Sequence, residues 1–311
     1  MCIRDRDISN NIPLGLIWIP PVNHSRISSE QSTINWALPT NVSLPKDKGE
    51  LAFYPVSELA YLIKNRQITS LELTQLFLNR LKKYSDTLQC TITITDSLAL
   101  IQAQRADIEI KQGIYRGPLH GIPYGAKDLL NVAGYKTTWG ATPFKSQVFS
   151  KNAEIINRLE AAGAVLVAKL TLGALAWGDV WYGGKTRNPW DLEQGSSGSS
   201  AGSASATVAG LVPFAIGSET LGSIVSPSTK CGATGLRPTF GRVSKDGAMA
   251  LSWTMDKLGP ICRNALDCAL VFEAVRGTDG RDLSVRDAPF NYCLLYTSDA
   301  ADEEDSVDLG G

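Results

Sequence analysis

Asn152-Ala153-Glu154-Ile155-Ile156-Asn157-Arg158-Leu159-Glu160-Ala161-Ala162-Gly163-Ala164-Val165-Leu166-Val167-Ala168 is the stretch on which the fold class turns. Its first half places Ile155, Ile156 and Leu159 on one face at helical spacing, with Asn152 where an N-cap is expected and Gly163 where a helix stops. Its second half is an unbroken apolar run, the pattern of a strand covered on both faces rather than one. Helix, glycine stop and buried strand in succession predict α/β architecture. Pro213-Phe214-Ala215-Ile216 repeats the event after another helix-like segment.

Upstream, Leu59, Leu62 and Ile63 make one helical stripe. Thr69-x-x-Glu72 reads as a capping box opening a second helix with Leu73, Leu76, Phe77, Leu81 and Tyr84 on its inner face. Thr91 to Thr95 alternates as a short strand, and Asp96 leads into a helix whose core face is expected to hold Leu98, Ile101 and Ile108. Residues 7–50, with Pro13, Pro20, Pro21, Pro39 and Pro45 and no clear period, predict an extended arm before a domain over 51–292. No internal repeat or second domain boundary is evident in that body.

The two ends read differently. Cys293 to Gly311 carries six acids and no basic residue. Together with Met1-Cys2-Ile3-Arg4-Asp5-Arg6, the string from Leu294 to Asp305 resembles translated sequencing adapter. Residues 1–6 and 293–311 are therefore expected to be artefact, and the gene to be truncated at each end.

The 311 residues are 43% hydrophobic and 20% charged, which excludes wholesale disorder. Ile12 to Ile19 is too short and too broken by Pro13 and Gly15 to span a bilayer, so a soluble protein without a membrane span is expected. Thirty Lys and Arg against 31 Asp and Glu, with no basic block, give no reason for direct nucleic-acid contact. Only two histidines occur, His24 and His120, which argues against a multi-histidine metal centre. Cys90, Cys231, Cys262 and Cys268 are widely spaced without Cys-x-x-Cys, and buried free thiols are expected. Compartment stays open between cytoplasm and periplasm, since any leader before the arm is expected to have been lost.

The conspicuous chemistry lies in Gly195-Ser196-Ser197-Gly198-Ser199-Ser200-Ala201-Gly202-Ser203. Such composition ordinarily marks a flexible linker. Here it runs into the small-residue helix Ala204 to Leu211 and the apolar Pro213 to Ile216, so it is embedded in the fold. Gly198-x-Ser200-x-Gly202 imitates a nucleophile elbow, yet that triad needs a histidine after the serine, and none follows His120. Gly184-Lys185-Thr186 lacks the earlier glycine of a phosphate loop, having Asp179 in its place. Ser43-x-x-Lys46 lies in the proline-rich arm with no helix to display it. Without a usable imidazole, an amide-cleaving serine needs another base, and a lysine serves only when burial keeps it neutral. Lys127, in Gly121-Ile122-Pro123-Tyr124-Gly125-Ala126-Lys127-Asp128-Leu129-Leu130, has the apolar setting required. Asp128 opposes that shift if it lies close. Adjacent side chains in an extended chain point to opposite faces.

Lys127 in Gly-Ile-Pro-Tyr-Gly-Ala-Lys-Asp, the loop Gly198 to Ser203, and Gly217-Ser218-Glu219-Thr220-Leu221-Gly222-Ser223-Ile224-Val225-Ser226-Pro227 occur in an order and spacing that resemble the amidase signature family. Cys231 to Ser244 continues the likeness, which covers roughly residues 51–282. The resemblance implies a mixed central β-sheet covered by helices on both faces, with the C-terminal part missing from this chain. It implies Ser223 as nucleophile, Ser199 as a bridging serine on a cis peptide, and Lys127 as base. The backbone N–H groups of Thr220, Leu221, Gly222 and Ser223 would form an oxyanion hole, and Ser200 would hydrogen-bond beside the relay. The implied reaction hydrolyses a carboxylic amide with no cofactor or metal. The implied partner is a small-molecule amide, and a homodimer is compatible with the reading. Two alternatives remain: the glutamine-hydrolysing subunit of a tRNA-dependent amidotransferase, and a binding protein that keeps only the fold. Leu221 and Val225 stand where the family commonly has glycine and arginine. The leucine is expected to narrow the pocket while keeping its N–H, and the valine removes a charge. Trp177 and Trp181 are expected in the core in preference to an acyl pocket.

Overall fold

The computed structural model describes residues 30–292. The expected artefact segments 1–6 and 293–311, and the arm as far as residue 29, lie outside the described residues. The described residues fall into two compact units, one of residues 38–287 and one of residues 30–37 with 288–292. In the described part of the smaller unit, Gln31 Nε2 donates to the Phe290 carbonyl at 3.0 Å and Trp36 stacks on Tyr292 with centroids 5.3 Å apart.

The larger unit opens with α1 (Val56–Lys64) and α2 (Ser70–Leu88), followed by β1 (Thr91–Ile94), α3 (Asp96–Lys111) and β2 (Pro123–Lys127). Next come α4 (Glu154–Ala161), β3 (Val165–Leu170) and four short strands, β4 (Val180–Trp181), β5 (Gly184–Lys185), β6 (Arg187–Asn188) and β7 (Asp191–Gly195). The remainder is α5 (Ala201–Val208), β8 (Phe214–Glu219), α6 (Val225–Cys231), β9 (Thr234–Gly235), β10 (Lys257–Cys262) and α7 (Ala265–Val275).

Six strands form one mixed sheet in the order β1-β3-β2-β8-β10-β9. β2 runs parallel to both β3 and β8, and the other pairings are antiparallel. Every residue of β2, β3 and β8 is buried. Because successive side chains alternate sides, complete burial means that both faces of these strands are covered. α3 packs on β3, α7 on β10, and α5 against β2, β3 and β8. α5 manages this because Ala201 to Thr207, all small, are all buried and let the helix lie close. β2 has a parallel neighbour on each side, so the carboxyl ends of β2 and β8 open at a switch in strand order, where α/β sheets bind ligands.

The expected capping box is present. Thr69 Oγ1 accepts from the Glu72 N–H at 3.1 Å, and Glu72 accepts from the Thr69 N–H at 3.0 Å. Leu73, Phe77 and Leu81 are buried, while Tyr84 sits at the rim. The four expected cysteines are free and buried.

Two local expectations are overturned. α3 buries Ala99, Ala103, Ala106 and Ile110 and leaves Ile101 and Ile108 exposed, because the alanine face permits the closest approach to α2 and β3. Asn152 does not cap α4. Its Oδ1 accepts from the Ala133 N–H at 2.7 Å, and the Asp246 carbonyl receives the first N–H of the helix at 3.0 Å. A carboxamide next to a helix start satisfies whichever orphan donor lies nearer, and here that donor is in a loop.

Thr69→Ala removes one half of the capping box and is expected to lower stability by about 1 kcal/mol in urea unfolding, with an unchanged m-value.

Candidate active site

Lys127 is the last residue of β2, and its amine is wholly buried. The register pairs Ala126 with Ile216 on β8, so the lysine side chain leaves the sheet beside Gly217 and Ser218. Nζ lies 2.8 Å from Ser199 Oγ, 3.0 Å from Ser200 Oγ, 2.9 Å from Ser218 Oγ and 3.3 Å from the Ser218 carbonyl. No carboxylate stands among those partners. Ser200 Oγ donates to the Ser218 carbonyl at 3.0 Å and accepts its N–H at 3.1 Å, locking the loop to β8.

The glycine-serine loop is packed, as its embedding between apolar segments requires. A Cβ on Gly198 would stand 1.9 Å from the Gly178 carbonyl oxygen, so only glycine allows the two backbones to pass. The Gly198–Ser199 peptide is cis. Ser197 donates its N–H to Asp179 at 3.1 Å, tying the loop down on its other side.

Ser223 follows Gly222, which takes a left-handed φ of 86° in the turn between β8 and α6. The Ser200 N–H donates to the Ser223 carbonyl at 3.0 Å, so backbone pairing holds the two segments together. Ser199, Ser200 and Lys127 are joined through their side chains. Ser223 is brought alongside through its main chain, and its hydroxyl has no hydrogen bond among the described residues. The turn is built around Glu219, 2% exposed, whose Oε2 accepts from Ile224 at 2.8 Å and Val225 at 3.0 Å. Burial raises its carboxyl, but the N–H groups of Val225, Ile224 and Gly222, with the Arg237 guanidinium, bring it below the ordinary carboxylate range. The Gly222 N–H is thus turned toward Glu219. Arg237, 3.9 Å from Glu219, supplies positive charge in the neighbourhood where Val225 supplies none. Thr220 donates its hydroxyl to Asp256 at 2.5 Å, and Lys257 Nζ donates to its carbonyl at 2.9 Å.

Loss of hydration drives the Lys127 amine down to about 7, against smaller upward pulls from Asp256 and Glu219. Asp128 does not contribute. It lies on the opposite side of the strand, 2.6 Å from the buried Lys169 Nζ, and accepts the Thr138 N–H at 2.7 Å. Burial also lowers the Lys169 amine, with Asp128 pulling it back. His120 is engaged elsewhere, its Nε2 3.0 Å from Glu109 and its Nδ1 accepting the Arg116 N–H at 3.1 Å. Among the described residues, no three His, Cys, Asp or Glu side chains converge in a way that would hold a metal ion.

Leu221 is 80% exposed. Trp177, expected in the core, is 82% exposed, because the chain leaves the short turn Ala174–Ala176 through left-handed Leu175 and Ala176 and carries the ring outward. Sequence reasoning gave no role to Ser218, Glu219 or Asp256. Only the position of Ser218 and Glu219 inside the Gly217 to Pro227 motif marked them, and nothing marked Asp256.

The sequence profile of the Amidase family matches residues 72–310. The chain is 40% identical over 237 residues to the A-type subunit of glutamyl-tRNA(Gln) amidotransferase from Methylococcus capsulatus, covering 75% of this chain and 49% of that protein. The corresponding subunit of Moorella thermoacetica is 38% identical over 243 residues, covering 77% and 50%. The solved peptide amidase of Stenotrophomonas maltophilia superposes with a TM-score of 0.74 at 36% identity, covering 80% of this chain and 53% of that one. With so much of its length matched, this chain belongs to the amidase signature family. It spans about half the length of the curated relatives it matches. No helix among the described residues is long and apolar enough to cross a membrane.

Burial of Lys127 has a consequence for stability. Between about pH 7 and its ordinary 10.5, the unfolded chain holds a proton on this amine that the folded chain lacks. Stability is therefore present in full above the unfolded value and falls as pH drops toward 7, by about 1.4 kcal/mol per unit. Relative to Lys127→Met, wild type should lose about 2 to 3 kcal/mol between pH 10 and pH 8 in urea titrations. Parallel profiles would mean that the amine is hydrated.

Proposed function

We propose that this chain carries the catalytic centre of an amide hydrolase that cleaves a carboxylic amide to acid and ammonia or amine through an acyl-serine. The observation that carries the reading is a fully buried lysine amine, brought down to about 7, whose partners are hydroxyls and a carbonyl. A neutral amine has two N–H donors and one lone pair. Ser200 already spends its proton on the Ser218 carbonyl, so it receives from Nζ rather than giving. The lone pair is thus left to Ser199 or Ser218, and Ser199 is the one adjoining the Ser223 segment through the Ser200 N–H bond.

The reaction follows. Ser223 Oγ attacks the amide carbonyl as its proton passes to Ser199 Oγ and the Ser199 proton passes to Lys127 Nζ. Lys127 and Ser199 return a proton to the departing nitrogen as the carbon–nitrogen bond breaks. Water then attacks the acyl ester through the same relay, releasing acid and restoring Ser223. N–H groups of the Thr220 to Ser223 turn receive the developing oxyanion, each worth about 3 kcal/mol in the transition state. That of Gly222 is shared with Glu219. Ser200 fixes Lys127 and β8 without moving a proton.

The glutamine-hydrolysing subunit of a tRNA-dependent amidotransferase is the second reading, favoured by relatives of that name at 38 to 40% identity. Co-purification with a tRNA-binding partner, and ammonia released from glutamine in preference to aliphatic, aryl or peptide amides, would select it.

A hydroxyl-reactive fluorophosphonate should label Ser223, read by peptide mass spectrometry. Ser223→Ala should abolish labelling, and Ser199→Ala or Lys127→Met should slow it by about 100-fold or more. Labelling that survives in Ser223→Ala overturns the assignment and leaves a protein with the fold but not the chemistry.

A further inference from the structure

The second buried lysine has no part in the relay. Lys169 is completely buried, and its Nζ lies 2.6 Å from Asp128 Oδ1, 2.9 Å from Thr137 Oγ1 and 3.1 Å from the Lys136 carbonyl. Its placement follows from sheet register. Lys169 on β3 pairs with Ala126 on β2, so it shares a face with Ala126 and Asp128, while Lys127 projects from the other. The Asp128 N–H donates to the Leu170 carbonyl at 2.9 Å, extending the alternation one residue past the end of β2. Two buried lysines and one buried aspartate thus meet at the end of a single strand pair, divided by the sheet.

A buried carboxylate next in sequence to a buried amine would ordinarily hold that amine protonated, since neighbouring opposite charges interact strongly away from water. Here it is turned away and matched. Thr138 contributes its N–H at 2.7 Å and its hydroxyl at 2.6 Å to Asp128 Oδ2, and Lys169 takes Oδ1. Tyr182, whose phenol meets Thr138, is raised by burial and by Asp128. On the Lys127 side, the charged groups in range are Glu219 at the end of β8 and Asp256 before β10.

We propose that Lys169 is a positioning residue for Lys127: by binding the Asp128 carboxylate across the sheet, it cancels the one negative charge adjacent in the chain that would keep the catalytic amine protonated. This rests on the reading of Lys127 as a proton acceptor, and it adds that the acceptor's range is set by a pair that touches neither substrate nor relay. Asp128 without Lys169 would push protons onto Lys127, whereas the buried Lys169 amine without Asp128 would give up its own proton and leave Lys127 as it is.

That asymmetry provides the test. The 311-residue chain is labelled with lysine carrying carbon-13 at Cε, the Lys127 resonance is assigned by its loss in Lys127→Met, and its titration midpoint is followed by NMR. Lys169→Met should raise the midpoint by about one pH unit, and Asp128→Asn should leave it in place because Lys169 then loses its proton. The double variant Asp128→Asn/Lys169→Met should return close to wild type, and Lys169→Arg should leave it in place. A pair serving only to hold the strands together would admit water in either single variant and move both midpoints upward. An upward shift in Asp128→Asn, or no shift in Lys169→Met, overturns the proposal. If Lys169→Met does not fold, Lys169→Gln is read in the same way. The readout needs no turnover, so fluorophosphonate labelling at Ser223 tests the hydrolase reading separately.

Discussion

A lysine amine taken out of water loses the hydration that keeps it charged, and the middle of this fold is arranged around that cost. Lys127 sits at the end of a strand buried on both faces, with three hydroxyls and a carbonyl for company. Were the amine exposed it would hold its proton at neutral pH, and the serines around it would be ordinary loop residues. Small side chains make the enclosure possible. α5 lies against β2, β3 and β8 through alanines, serines and a glycine, and the preceding loop passes the Gly178 carbonyl only because residue 198 has no Cβ.

Two carboxylates near the site are each given their own partners. Glu219 is spent on the N–H groups at the start of α6, where it shapes the Ser223 turn. Asp128 is spent on Lys169 and Thr138 across the sheet. The same alternation of side chains that puts Lys127 toward the serines puts Asp128 away from them, so a lysine-aspartate sequence can serve a neutral amine. Asp256, which with Glu219 acts on the amine, is committed to Thr220 and to the N–H groups of Leu251 and Ser252.

Much of this was legible from local pattern. The capping box at Thr69 and Glu72, the buried run Val165 to Ala168 and the glycine after α4 depend on neighbours within a few residues, and they appear where periodicity placed them. Failures came where the choice was between competing partners. The α3 periodicity admitted either an isoleucine or an alanine face, and proximity to α2 and β3 selected alanine. Asn152 had a helix start and a loop donor within reach and took the loop donor. Trp177 looked like core by size alone, but left-handed residues before it carry it outward.

By itself the sequence determined the α/β class and the family resemblance and singled out Lys127, because each is written in short runs of residue type and spacing. It could not determine that Ser218 joins Ser199 and Ser200 around that amine, that Glu219 holds the Ser223 turn, or that Lys169 meets Asp128. Those contacts join residues up to 91 positions apart. Only strand order and register bring them within hydrogen-bond distance, and only close packing from both faces of the sheet removes the water that would make their proximity inconsequential.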